Sequence, residues 1–174
     1  MHPFSELAAR CVAMTTQNAR EASEYILGEL QASGRTVFVK ALQAVELQRA
    51  MTTVGLVSMF EAALQDALDV EDGFKAARAV LQECGHADLD TRFSDLLMAI
   101  NVLKHGAGRS HDALIARRHA LPFRVRAEDE FLEEGDVSEL NFLIKADEGF
   151  LSYSATVVDQ VTAQIRIARP DVFL

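Results

Sequence analysis

Cysteine is scarce in this chain, with two in 174 residues. Cys11 and Cys84 are far apart in sequence and show no metal-type spacing, so they make no disulfide framework. Each falls in a helical, largely apolar stretch, which predicts buried free thiols and fits a reducing compartment. Proline and glycine are also few, 3 and 9 respectively, which excludes fibrous or low-complexity character. No early segment joins a basic start to a continuous apolar run, so no signal peptide is expected. No stretch approaches the roughly 20 apolar residues that span a bilayer. These absences point to a cytoplasmic protein with no membrane partner. Walker-type, dinucleotide-binding and GxSxG sequences are missing. His111 and Asp112 are adjacent rather than spaced to share an ion, so neither metal nor cofactor is expected.

What remains is globular: 49% hydrophobic and 25% charged. The length suits a single helical domain over residues 1–174 with a sizeable core. Apolar residues recur at helical spacing from about Pro3 to Ala32, with Pro3 in the first turn and Gly34 marking the break. Residues Val37 to Val70 form the longest helix candidate. Its centre, Met51 to Leu68, is apolar nearly all round and asks for cover on more than one side, which predicts a homodimer. Asp72 to Cys84 reads as a shorter helix ended by Gly85. Asp88 or Asp90 is expected to cap a helix running to His105. Ser110 to about His119 reads as another helix, closed by Pro122. Residues 123–148 change character into a charged loop, either irregular or a small two-stranded ribbon. Phe123 to Arg126 and Leu140 to Ile144 would form its strands, with Gly135 in the acidic loop between. Helical spacing returns from Gly149 to Ile167 and Pro170 ends it. The expected fold is an all-α helical bundle with this insert before the last helix.

The formal net charge of −9 disfavours general nucleic-acid binding, but charge is unevenly spread. Residues 104–126 hold Lys104, Arg109, Arg117, Arg118, Arg124 and Arg126 against Asp112 alone. Residues 128–148 hold nine acids, Glu133 and Glu134 among them, against Lys145 alone. The basic block reads either as a phosphate-binding surface or as the partner of the acidic one.

The basic block opens on the most informative stretch, Asn101 to Asp112. Asn101 and His105 are one helical turn apart and share a face. Gly106 and Gly108 can adopt left-handed conformations that stop the helix after His105, and Ser110 is a candidate N-cap for the next one. Histidine titrates near neutrality and can act as a general acid or base on a ribose hydroxyl or phosphate. Otherwise His105 simply caps its helix. Asn101 could orient His105 or bond a ligand. Arg109 could meet an anion held at the following helix start. Lys104, Gly106, Gly108, Arg109, Ser110, Arg117 and Arg118 make up the candidate phosphate-binding set. Glu61 falls on a mostly apolar helix face, where it either orients His105 or pairs with an arginine, or else lies half exposed.

Ile100-Asn101-Val102-Leu103-Lys104-His105-Gly106 resembles the signature of HEPN-domain proteins, in which an arginine and often a polar residue precede a histidine near a helix end. The apolar stretch Val54 to Leu64, carrying Glu61, is similar to the second-helix region of several such families. The likeness spans roughly residues 1–119, with the last helix completing a bundle. It implies an all-α dimer. Many members are metal-independent endoribonucleases, often toxins or antiviral effectors, with arginine and histidine from both subunits in a shared cleft; others only bind or scaffold. Carried onto this chain, the histidine is His105 and the polar residue is Asn101, while Ile100 stands at the arginine position. Isoleucine cannot stabilise a phosphorane. Either Arg109 or Arg92 takes that part, or the chain is not a ribonuclease. The favoured expectation is a HEPN-like dimer of a defence or stress system, non-catalytic or weakly catalytic. It would bind RNA, a nucleotide or a protein partner such as a cognate antitoxin. The alternative is a metal-independent endoribonuclease using His105 with Asn101 and Arg109, with Glu61 orienting.

Overall fold

Two long helices, α1 (Phe4–Ser33) and α2 (Thr36–Leu68), form a hairpin closed at Gly34, whose φ of 61° suits a residue without a side chain. The structure is a computed structural model describing residues 4–131, 136, 138–172 and 174. Pro3, expected in the first turn of α1, and Glu133, Glu134 and Gly135 of the acidic loop lie outside the described residues. Helices α3 (Gly73–Glu83), α4 (Ala87–His105), α5 (Arg109–Ile115) and α6 (Glu148–Ala168) complete an all-α bundle. A 3-10 turn over Arg118–Ala120 follows α5, so this region breaks sooner than the helix to His119 that the sequence suggested.

The inner half of α2 packs with α3, α4 and α6 around Phe60, Leu64, Leu81, Phe93, Leu96 and Val161, all at or near zero exposure. Phe4, Phe60, Phe93 and Phe74 run through it as a chain of ring contacts 5.7 to 6.1 Å between centroids, the stacked and edge-on spacing aromatic pairs prefer. The outer end of the hairpin has its own small cluster, Ala19, Ile26 and Val45. There α1 is covered on one side only. Cys11, on α1 beside the groove between α1 and α2, is exposed, as is Cys84 where α3 ends, and neither is the buried thiol expected. An apolar stretch does not reveal which of its faces meets a neighbour.

The described residues of 123–147 are irregular, with no strand among them and one isolated antiparallel bridge, Val125 to Ile144. The alternation of Phe123-Arg124-Val125-Arg126 does not make a ribbon, because Arg126 is itself buried. Its guanidinium donates to the carbonyls of Phe142, Ala127, Glu128 and Glu130 and to the Asn141 side chain, and it lies 3.8 Å from Glu139. One buried cation thus gathers both limbs of the insert, satisfying carbonyls that a ladder would otherwise pair. Asp147 then caps α6 by accepting from the Phe150 N–H at 2.9 Å.

Neither Asp88 nor Asp90 caps α4. The helix starts one residue before Asp88, with His86 at the cap position and no side-chain bond there. Asp88 instead accepts from Arg92 at 2.9 Å, and Asp90 from Arg78 at 2.6 and 3.1 Å and from Gln82 at 2.8 Å. No helix among the described residues is long and apolar enough to cross a membrane.

Candidate functional site

Helix α4 delivers the central residues. His105 is its last residue, and Gly106 at φ 76° and Gly108 at φ 152° turn the chain away from it. Both glycines occupy backbone conformations that a side chain resists. Gly108, not Ser110, occupies the cap position of α5, and Ser110 lies within the first turn. Helix α5 has seven residues, too short for a strong dipole at its start. Two contacts fix it: buried His111 Nε2 lies 2.8 Å from the Arg126 carbonyl oxygen, and Arg117 donates to Asp95 at 2.9 Å.

With about 100° of rotation per residue, Asn101 and Lys104 lie on one side of α4 and Val102, Leu103 and Gly106 on the opposite side, with His105 between them. Each side faces a hollow. The first is a cleft of about 830 Å³ between α2, α3 and α4, lined by Glu61 and Ser58 of α2, by Lys75, Arg78 and Gln82 of α3, and by Ile100, Asn101 and Lys104 of α4. Glu61 is half-buried there; neither it nor Asn101 has a side-chain partner among the described residues. The cleft mixes Lys75, Arg78 and Lys104 with Glu61, Glu71 and Asp72, so it has no single charge sign. Arg78 is not available as an isolated cation, since Asp90 holds it in a two-pronged ion pair. Hydrogen bonds from Arg78 hold the Asp90 carboxyl below the usual carboxylate range, against the opposing effect of burial.

The second hollow is a groove of about 360 Å³ between Val102, Leu103, Gly106 and Ala107 on one side and Glu128, Asn141, Phe142 and Leu143 of the insert on the other. His105 lines neither hollow and is exposed on the ridge between them. Arg109 is exposed just beyond, and neither has a side-chain partner among the described residues.

The structure therefore brings Glu61, Asn101 and Lys104 together, with His105, Gly106, Gly108 and Arg109 on the adjoining turn. It does not bring Arg117 and Arg118 into a free phosphate surface. Arg117 pairs with buried Asp95, and Arg118 with Glu130 at 2.8 and 3.1 Å. Much of the basic block thus neutralises acids of the same fold. Ile100 is 5% exposed at the wall of the cleft. Arg92 stands thirteen residues before His105, roughly 20 Å away along the helix axis, and donates to Asp88 and Gln160. Of the two arginines considered as replacements at Ile100, only Arg109 is near the turn. Sequence reasoning missed Lys75, Arg78 and Gln82. Their spacing of three and four residues puts them on one face of α3, which was a legible signal. Among the described residues no group of three or more His, Cys, Asp or Glu is arranged to hold a metal. Compared with family models, curated proteins and solved structures, the chain matches none.

Proposed function

We propose that the protein is a HEPN-like helical homodimer that binds RNA or a nucleotide at the His105 turn, with little or no catalysis of its own. The observation that carries this reading is the meeting of Glu61, Asn101 and Lys104 at one cleft beside an exposed histidine and an exposed Arg109 with no partner among the described residues. Lys104 and Arg109 bracket the glycine turn and supply positive charge where a phosphate would sit. Weak catalysis follows from Ile100 at the arginine position of the motif and from His105 lying outside the cleft. The apolar groove along α1 and α2, about 430 Å³ and walled by Leu7, Cys11, Leu56 and Met59, is the surface we assign to the second copy. Its exposed ridge residues and its hollow lie on one patch, which suits an isologous contact.

The alternative is a metal-independent endoribonuclease using His105 with Asn101 and Arg109. It is favoured by one observation: His105 and Arg109 lie on the same exposed turn with no partner among the described residues. Anisotropy of a labelled single-stranded RNA, together with product analysis on a gel, separates the readings. Binding lost in Arg109→Glu and reduced in His105→Ala without cleavage supports the first. Cleavage that persists with chelator and vanishes in His105→Ala supports the second. Equal binding by wild type and Arg109→Glu at low salt contradicts both and favours a protein partner.

A further inference from the structure

We propose that the groove between the end of α4 and the insert is a guanine-binding subsite, an inference that rests on nucleotide or RNA binding at the His105 turn. The groove begins at Gly106 and Ala107, the residues directly after His105, so a base entering it would leave its phosphate at the exposed turn of His105 and Arg109. Its lining sets Leu103, Phe142 and Leu143 beside polar groups, and apolar side chains of this kind are where an unstacked base rests.

Two polar side chains line the groove, and their hydrogen-bonding characters are complementary. The Asn141 carbonyl accepts from the buried Arg126 guanidinium. A guanidinium only donates, so the orientation of the amide is fixed and its NH2 group is left to donate at the groove. Glu128 also lines the groove, and its carboxylate has no partner among the described residues. A donor beside a carboxylate matches the Watson–Crick edge of guanine: O6 accepts from Asn141, while N1–H and the 2-amino group donate to Glu128. Adenine presents a donor where guanine has O6 and an acceptor at N1, so both contacts would be mismatched. A carboxylate at this rim also disfavours a phosphate entering the groove. Arg126 holds the carbonyls of Phe142 and Glu128 as well, so the insert side of the groove is organised before any ligand arrives.

Calorimetry or anisotropy competition with GMP, IMP and AMP tests this, alongside a short single-stranded RNA carrying one guanosine and its adenosine counterpart. GMP is expected to bind on the order of tenfold more tightly than AMP, with IMP, which lacks the 2-amino group, between them. A preference seen with GMP identifies a free nucleotide as ligand; a preference seen only with RNA identifies a base within a strand. Asn141→Ala removes the donor but also a partner of Arg126. Glu128→Gln is the cleaner variant: it should abolish the guanine preference while leaving the melting temperature unchanged, with AMP bound no more weakly than by wild type. Equal affinity for all bases, or a guanine preference surviving in Glu128→Gln, overturns the subsite and leaves the phosphate-binding reading standing. No binding of any nucleotide or RNA overturns both.

Discussion

Arg117, just beyond α5, donates to the carboxylate of Asp95 in the middle of α4 at 2.9 Å, and Asp95 is 3% exposed. The pair ties the far side of the His105 turn back to the helix that carries His105. Asp95 Oδ1 has no hydrogen-bond partner among the described residues, so Arg117 is the main compensation for burying this charge. Burial pushes the Asp95 carboxyl above the usual carboxylate range, with Arg117 opposing. Burial, with Asp95 nearby, also pushes the Tyr153 hydroxyl up to about 12.

Removing the cation should therefore cost more than removing the charge it serves. Arg117→Ala is expected to lower stability by about 2 kcal/mol at pH 7, less than for a fully buried pair because Arg117 is partly exposed. Asp95→Asn, which keeps the shape and an acceptor, should cost little, and the double variant should recover most of the loss. Urea melts of the four proteins check this; equal losses from both single variants would contradict it.

Asp90 and Asp95 should shape the pH dependence in opposite directions. Because the Asp90 carboxyl is lowered on folding, its contribution is present above the usual carboxylate range and lost as pH falls through its folded value. The Asp95 carboxyl is raised, so its contribution is present below that range and lost as pH rises through its folded value. Asp90→Asn should be destabilised by about 1–2 kcal/mol at pH 7 and draw level with wild type in acid. Asp95→Asn should gain on wild type as pH rises from acid to neutral. Melting temperatures across pH 3–8 read both slopes.

Glycine substitutions should separate a close helix contact from an open one. A Cβ on Gly73 would lie 2.8 Å from the Glu61 carbonyl oxygen and 2.8 Å from Leu64 Cβ, so α3 must move off α2. Gly73→Ala should lose about 2 kcal/mol and disturb the cleft that holds Glu61. Gly28, inside α1, has nothing within 4 Å of such an atom, so Gly28→Ala should gain about 0.5–1 kcal/mol through helix propensity. Both shifts are readable in thermal melts.

The homodimer has its own test. Met59 is 66% exposed and Leu7 53% exposed at the mouth of the α1–α2 groove. Light scattering at micromolar concentration should give the mass of a dimer for wild type and of a monomer for Met59→Glu, with helix content unchanged. A wild-type monomer would contradict the assignment.

The helices were legible because apolar spacing and the breaks at Gly34, Gly85, Gly106 and Pro170 are local signals, and the ends of α1, α2 and α6 fall close to where those signals put them. Caps were less so. Asp90 looked like a cap until Arg78, twelve residues earlier, took its carboxylate. The likeness of 123–126 to a strand failed because the alternation cannot show that Arg126 turns inward to bind carbonyls. Of the candidate site, Asn101, Lys104 and Glu61 were legible individually; their common cleft was not, since it depends on how α2 and α4 are rotated. The loss of Arg117 and Arg118 to Asp95 and Glu130 was visible only as two open alternatives in the charge pattern.

The measurement closest to the central claim is the affinity of one single-stranded RNA for wild type, Lys104→Glu and Arg118→Gln at two salt concentrations. Lys104 faces the cleft beside Asn101, whereas Arg118 is already paired with Glu130. Wild-type binding should fall roughly tenfold between about 50 and 200 mM salt, as two or three phosphate contacts require. Lys104→Glu should bind at least about tenfold more weakly at low salt, while Arg118→Gln matches wild type. Undiminished binding by Lys104→Glu, or no RNA binding by wild type at low salt, would contradict the claim.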